Sequence, residues 1–262
     1  MPPIIPETHL TIWPIDPLSK EKATRWSLKL GLPLVDHPPI SSMDTPILAV
    51  DQGRLEFRLG TTHQKGIFAE FSAHKTRIIQ RQEGKNGLLA RAVGLRKLSS
   101  PRILDATAGL GHDSFLLAIY GCQVQSFERS PWIAALLEDA MERGYSDPET
   151  REILEQRMTL HSADAVNFLQ QPTTTSKVDV VYLDPMFTKN KRSALSRKEM
   201  QLLRLLVGQD EDAPRLLHAA RAYKPRRVVV KRPVKAPVIE GNAPHFSITG
   251  TTIRYDVYLP EV

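Results

Sequence analysis

From Pro101 onward, short β-branched runs alternate with longer stretches in which apolar residues recur at helical spacing. Residues 102–105, 123–128, 158–161, 178–183 and 227–231 read as strands, the last two being largely apolar. Helices are predicted at 113–120, stopped by Gly121, and at 131–143, with Ser130 as N-cap, Pro131 in the first position and Gly144 past the end. Shorter helices fit 148–155 and 165–169, and further ones fit 196–207 and 212–223. Residues 246–248 and 253–258 suit a closing antiparallel pair. Such alternation predicts an α/β fold with a doubly wound, mostly parallel sheet.

The first part of the chain follows another pattern. Residues 1–95 show no long helical period, and prolines are dense as far as Pro46. The runs 47–50 and 55–59 flank Asp51-Gln52-Gly53, a hairpin signal, and 67–71 alternates like a further strand. We therefore expect a small β-rich N-terminal subdomain with a connector at 1–95 and a larger domain at 96–262. The connector from Arg77 to Lys97 is basic, with a loop signal at Gly84-Lys85-Asn86-Gly87 and a short helix at 88–93 ending at Gly94. It reads either as a solvated link or as a loop closing over a cofactor or phosphate. No internal repeat or low-complexity tract is present.

Composition narrows the class. The chain has 262 residues, 41% hydrophobic and 24% charged, enough for one large domain or two modest ones with a sizeable core. A formal net charge of +6 attracts polyanions, nucleic acid foremost, although it also serves solubility alone. Cys122 is the only cysteine, which excludes intrachain disulfides and cysteine-cluster metal sites. The start, Met1-Pro2-Pro3-Ile4-Ile5-Pro6, lacks a basic leader pattern, and no stretch reaches membrane-spanning length. The expectation is a cytoplasmic protein with no metal and no membrane association.

The chemistry gathers at strand ends. Asp105-Ala106-Thr107-Ala108-Gly109-Leu110-Gly111-His112-Asp113 links the first strand of the alternating part to its helix, where open α/β sheets bind ligands. Gly109 and Gly111 permit a tight turn and close approach of a ligand to the backbone. A dinucleotide fingerprint needs a third glycine where this chain has Ser114. The order D-x-x-x-G-x-G resembles class I S-adenosylmethionine (SAM) methyltransferases, with a Rossmann-like fold. In that reading Asp105 anchors the loop and attracts the cationic amino acid part of the donor. Glu128 can accept the ribose hydroxyls, and Asp164 can read the adenine amine. Each acid alone is equally a turn or helix-cap residue.

Asp184-Pro185-Met186-Phe187 follows the strand at 178–183. It is similar to the (D/N)-P-P-(Y/F) motif of amino-methylating enzymes. An exocyclic base amine is a poor nucleophile because its lone pair is conjugated with the ring. Asp184 can accept one amine hydrogen bond and the Pro185 carbonyl a second, turning the lone pair towards the donor methyl. Phe187 can stack on the ring. Catalysis is then positioning plus electrostatic stabilisation, without a protein nucleophile or a metal.

Met186 departs from the general motif. With Ile103 to Gly111, Phe127-Glu128-Arg129, 181–187, Ser193-Ala194-Leu195, Lys198-Glu199-Met200 and 227–233, it makes the chain from Gly66 onward resemble the bacterial ribosomal small-subunit methyltransferase J family. The resemblance implies methylation of a guanine exocyclic N2 in 16S rRNA of the small ribosomal subunit, with SAM as methyl donor. It implies donor contacts at His112 and Asp113, at Glu128 and Arg129, at Asp184, and at a pair after the strand at 158–161. At that pair the family has two serines and this chain has Ala163 and Asp164. The loop at 84–87 is poorer in glycine and arginine than the family's.

Lys189, Lys191, Arg192, Arg197 and Lys198 follow the motif, and Lys224, Arg226, Arg227, Lys231, Arg232 and Lys235 surround the strand at 227–231. Both groups are candidates for holding RNA phosphates. His161 reads as structural, and Trp13, Trp26 and Trp132 as core or interface residues. Asp210, Glu211 and Asp212 read as a helix start. Rival readings are methylation of a DNA adenine, a tRNA guanine or a protein glutamine, a non-catalytic rRNA-binding assembly factor, and a nucleotide-dependent oxidoreductase.

Overall fold

The computed structural model describes residues 10–37, 45–59, 66–72, 74, 77, 84–171, 178–185, 212–239 and 243–260. Its order is β1 (Thr11–Pro14), α1 (Lys20–Leu30), β2 (Pro46–Asp51), β3 (Arg54–Leu59), α2 (Leu88–Val93), β4 (Arg102–Asp105), α3 (His112–Ile119), β5 (Gln123–Glu128), α4 (Pro131–Gly144), α5 (Pro148–Arg157), β6 (Met158–Ser162), α6 (Ala165–Leu169), β7 (Val180–Leu183), α7 (Ala213–Ala222), β8 (Arg227–Pro233), β9 (Phe246–Thr249) and β10 (Ile253–Tyr258). The helix expected at 196–207 lies outside the described residues.

Seven strands form the main sheet in the order β6-β5-β4-β7-β8-β10-β9. All neighbours from β6 to β8 are parallel, and β10 is antiparallel to both β8 and β9. This is the expected class I methyltransferase architecture. Alternate strand residues face opposite layers. Ile103, Val180, Tyr182 and Val229 join one core with α3 and α4, while Leu104, Val181, Leu183 and Val230 join the other with α6 and α7. Burial on both faces is why these strands are continuously apolar.

Local chemistry sets the helix starts. Ser130 Oγ accepts from the Ile133 amide at the head of α4, and Asp147 accepts from Glu149 and Thr150 at the head of α5. Pro131 and Pro148 hold the first helical positions.

The N-terminal part is a three-stranded sheet in the order β1-β2-β3. The β2–β3 hairpin turns through Gln52 (φ 49°) and Gly53 (φ 74°), the left-handed pair that a tight two-residue turn demands. Two expectations need correction. The region contains an 11-residue helix, α1, which buries only Ala23 and Trp26, too narrow an apolar stripe to stand out as a long helical period. The run 67–71 is no strand: Ile67 makes a single antiparallel bridge to Phe57.

The two parts share a core. Phe71 lies against Phe115 of α3 with ring centroids 4.5 Å apart. Asp139 of α4, fully buried, accepts from the Leu55 amide at 3.1 Å and pairs with Arg143 at 2.8 Å and with Lys22 of α1.

Candidate active site

The chain leaves β4 towards β5 and β6 on one side and later returns to build β7 and β8 on the other. The crevice at the carboxyl ends of β4 and β7 is thus the topological switch point, where such sheets hold ligands. Register sets Asp105 opposite Tyr182, and the Ala106 amide bonds the Tyr182 carbonyl at 2.9 Å. Asp105 and Asp184 therefore emerge side by side.

Asp105 is 1% exposed, and its carboxylate accepts from the Thr107 amide at 3.1 Å and from Ser114 Oγ at 2.6 Å. Ser126 Oγ in turn donates to Ser114 Oγ at 2.9 Å. Asp105 thus holds the loop from within. Ser114 explains why no glycine stands there: its hydroxyl is needed by Asp105. Burial pushes the Asp105 carboxyl up to about 7, helped by the charges of Asp113 and Asp184 and opposed by its two hydrogen bonds.

That shift makes a testable slope. The unfolded carboxyl ionises near 3.8, so between about pH 4 and 7 the native state keeps a proton that the unfolded state has lost. Its contribution is complete below the unfolded value and is lost as pH rises through the native one. Asp105→Asn removes this slope. Between pH 4.5 and 7.5, urea unfolding should show wild type losing on the order of 3 kcal/mol relative to the variant. His112 and His161, whose lowered pKa values give the opposite slope, are present in both proteins and cancel in the difference. Asp113, held below 3.8, acts at more acid pH.

The two loop glycines separate. Gly109 (φ 54°) has only the Thr107 carbonyl oxygen, at 3.9 Å, near the position of a Cβ, so its backbone faces open space that a ligand can enter. A Cβ on Gly111 (φ 79°) would lie 2.5 Å from Leu137 and 2.9 Å from Phe71. Gly111 therefore makes room for protein packing at the head of α3.

Glu128 ends β5. Its carboxylate accepts from the Gly109 amide at 2.9 Å and the Ser130 amide at 2.8 Å, fastening the glycine loop to β5. Arg129 pairs with Asp212 at 2.6 Å, at the start of α7. Asp164 caps α6, accepting from the Val166 amide at 2.9 Å, and lies 3.7 Å from Arg215. The Ala163 amide bonds the carbonyls of Glu128 and His161, both at 3.0 Å. The His161 ring stacks on Phe127 at 4.6 Å. His112 is exposed and Asp113 half-buried in the first turn of α3.

Asp184 is held from several sides yet stays open. Its amide donates to Thr107 Oγ1 at 2.6 Å, and its carboxylate pairs with Lys231 at 2.9 Å while remaining 39% exposed. Lys231 also pairs with Asp113 at 2.7 Å, and Tyr182 donates to the same Asp113 oxygen at 2.6 Å. Burial pushes Asp113 up, but the Lys231 charge and the bonds from Lys231 and Tyr182 outweigh it and hold the group below its ordinary value. Pro185 is buried; Met186 and Phe187 lie outside the described residues.

The structure divides the basic cluster around β8, which sequence reading took as one phosphate-binding group. Strand direction is the reason. Lys224, Arg226 and Arg227 stand at the start of β8, the sheet edge away from Asp184; Arg226 pairs with Asp179 at 3.2 Å, and Arg227 bonds the Ala92 carbonyl at 2.9 Å. Lys231 enters the site, Arg232 is buried, and Lys235 remains exposed. The basic residues from 189 to 198 lie outside the described residues. Thr107, Ser114, Ser126, Tyr182 and Lys231 were not singled out for this network. The signal for Lys231 is register: Leu183 pairs with Val230, so the residues after them, Asp184 and Lys231, are neighbours.

Among the described residues, no group of three or more His, Cys, Asp or Glu could hold a metal ion, and no helix is long and apolar enough to cross a membrane.

Residues 34–260 match the family model for SAM-dependent methyltransferases. The chain is 44% identical over 242 residues to the ribosomal RNA small subunit methyltransferase J of Pseudomonas aeruginosa (strain LESB58), covering 91% of this chain and 90% of that relative. It is 44% identical over 241 residues to the protein of the same name from Nitrosococcus oceani, covering 90% and 93%. The crystal structure of a SAM-dependent methyltransferase from Neisseria gonorrhoeae aligns with a TM-score of 0.72 at 34% identity, covering 95% of this chain and 96% of that one.

Proposed function

The chain belongs to the ribosomal RNA small subunit methyltransferase J family of SAM-dependent methyltransferases, and on that premise we propose that it methylates the exocyclic N2 of one guanine in 16S rRNA of the small ribosomal subunit. The observation that carries this reading is the open Asp184 carboxylate beside the donor loop, fixed to it through Thr107.

The residues present suit SAM in their own chemistry. Gly109 leaves open space beside its backbone, Glu128 is a carboxylate at the end of β5 suited to ribose hydroxyls, and Asp164 stands at the next strand end for the adenine amine. Asp105 shapes the loop and Gly111 lets it pack on Leu137 and Phe71; His112, Asp113 and Ala163 complete the proposed donor shell, with Arg129 tied to Asp212 beside it. When bound, SAM supplies an activated methyl group: the amine lone pair forms the new N–C bond while the C–S bonding pair leaves with sulfur.

The protein's work is alignment. Asp184 accepts one amine N–H and the Pro185 carbonyl the other, which aims the lone pair. As positive charge develops on nitrogen, the carboxylate stabilises it and takes up the amine proton, passing it to water. Phe187 is proposed to stack on the ring. Residues 96–262 form the catalytic domain in this reading. Residues 1–95 form an N-terminal subdomain that braces the donor loop, supported by the packing of Phe71 against Phe115. The enzyme acts on RNA in the cytoplasm in this reading, and exposed Lys235 is a candidate for holding phosphate. Transfer of labelled methyl from SAM to small subunits lacking the modification tests the proposal.

A further inference from the structure

Among the described residues, Lys231 sets a cation into a cluster of carboxylates. β8 runs parallel beside β7, and its register sets Lys231 next to Asp184. The side chain is long enough to reach α3 as well, so its ammonium lies 2.9 Å from Asp184 and 2.7 Å from Asp113. The strand's exit is rigid: Arg254 donates to the carbonyls of Pro233 at 3.0 Å, Val234 at 2.7 Å and Ala236 at 2.8 Å. The groups that face this point are Asp105 at the end of β4, His112 and Asp113 on α3, Tyr182 and Asp184 on and after β7, and Tyr255 on β10, whose register partner is Lys231.

We propose that Lys231 is a positioning residue for methyl transfer, which bridges Asp113 on the donor side and Asp184 on the acceptor side and thereby keeps Asp184 ionised and aimed at the acceptor amine. This inference rests on the functional reading above. The chemical reason is specific. An ionised Asp184 accepts the amine N–H and leaves the nitrogen lone pair free. A protonated Asp184 would donate to that lone pair and withdraw the electrons the methyl group needs. Neighbouring carboxylates drive one another towards protonation, and a cation within about 4 Å reverses that pressure. Burial alone would favour the neutral amine of Lys231, but Asp184 and Asp113 more than offset it and hold the proton firmly. Lys231 is therefore no base for the amine proton, which leaves that role to Asp184. Its second bond, to Asp113 in the first turn of α3, ties the carboxylate to the helix that follows the donor loop.

The test compares wild type with Lys231→Met, Lys231→Gln and Lys231→Arg, the Met and Gln variants backing each other should one fail to fold. Carboxyl 13C NMR titration, with Asp184 assigned from its loss in Asp184→Asn, reads the carboxylate directly. The Met and Gln variants should raise the Asp184 pKa by about one to three units. The acid limb of kcat for methyl transfer should move up with it, so that part of the lost rate returns at higher pH, while Lys231→Arg keeps the limb in place. An unchanged Asp184 titration, or a rate that falls equally at every pH, overturns the proposal and leaves Lys231 a merely structural ion pair. If wild type binds SAM yet transfers methyl to no rRNA, the functional reading fails, and the NMR titration still decides whether Lys231 keeps Asp184 ionised.

Discussion

Asp184→Ala should lower methyl transfer at saturating donor by roughly two orders of magnitude, the scale on which losing one aligned transition-state hydrogen bond acts. Donor affinity, measured by calorimetry with SAM or its demethylated product, should stay within severalfold of wild type. The separation follows from the geometry. The Asp184 amide, not its side chain, holds Thr107, so the donor loop keeps that tie in the variant. Lys231 keeps Asp113 as a partner, so no buried cation is left alone. Loss of donor binding in a folded Asp184→Ala protein would instead make Asp184 a donor-site residue, and near wild-type transfer would remove its role with the amine.

The second large effect is on stability. Asp139→Ala should cost about 3 kcal/mol, read from the midpoint of urea unfolding. The carboxylate is wholly buried between α4, α1 and β3, and the Leu55 amide has its acceptor there. Removing it leaves a buried N–H unsatisfied and two cations without their partner. Lys22 and Arg143 are each partly exposed and can turn to water, which keeps the cost below that of a fully buried pair. Asp139→Asn, which still offers an acceptor to Leu55, should lose less. A change under about 0.5 kcal/mol would mean that this carboxylate does not join the N-terminal elements to α4 energetically.

Much of the fold was legible in the sequence because the main sheet is buried on both sides. Its central strands β4, β7 and β8 then carry largely apolar runs, and the helices between strands carry explicit caps such as Ser130 and Pro131. α1 was not legible: a helix that buries only Ala23 and Trp26 leaves little periodicity, and the prolines around it suggest loop. At the site, the acids at strand ends were visible as residue types, whereas their tasks depend on burial. Asp105 at 1% exposure anchors a loop, and Asp184 at 39% faces the cleft, although both are aspartates closing strands. The basic residues around β8 mislead for a related reason. A run of seven residues crosses the sheet from one edge to the other, so residues close in sequence serve opposite ends. Only pairing register separates Arg227 from Lys231.

The central claim, that Asp184 and the donor loop together methylate a guanine N2 of small-subunit rRNA, is tested most directly by one measurement. Small subunits prepared from cells lacking the enzyme are incubated with the protein and labelled SAM, and the RNA is digested to nucleosides and mapped. Label should appear as N2-methylguanosine at one position of 16S rRNA, and should be lost with Asp184→Ala. Label at another nucleoside, or none from a protein that binds SAM, would contradict the claim.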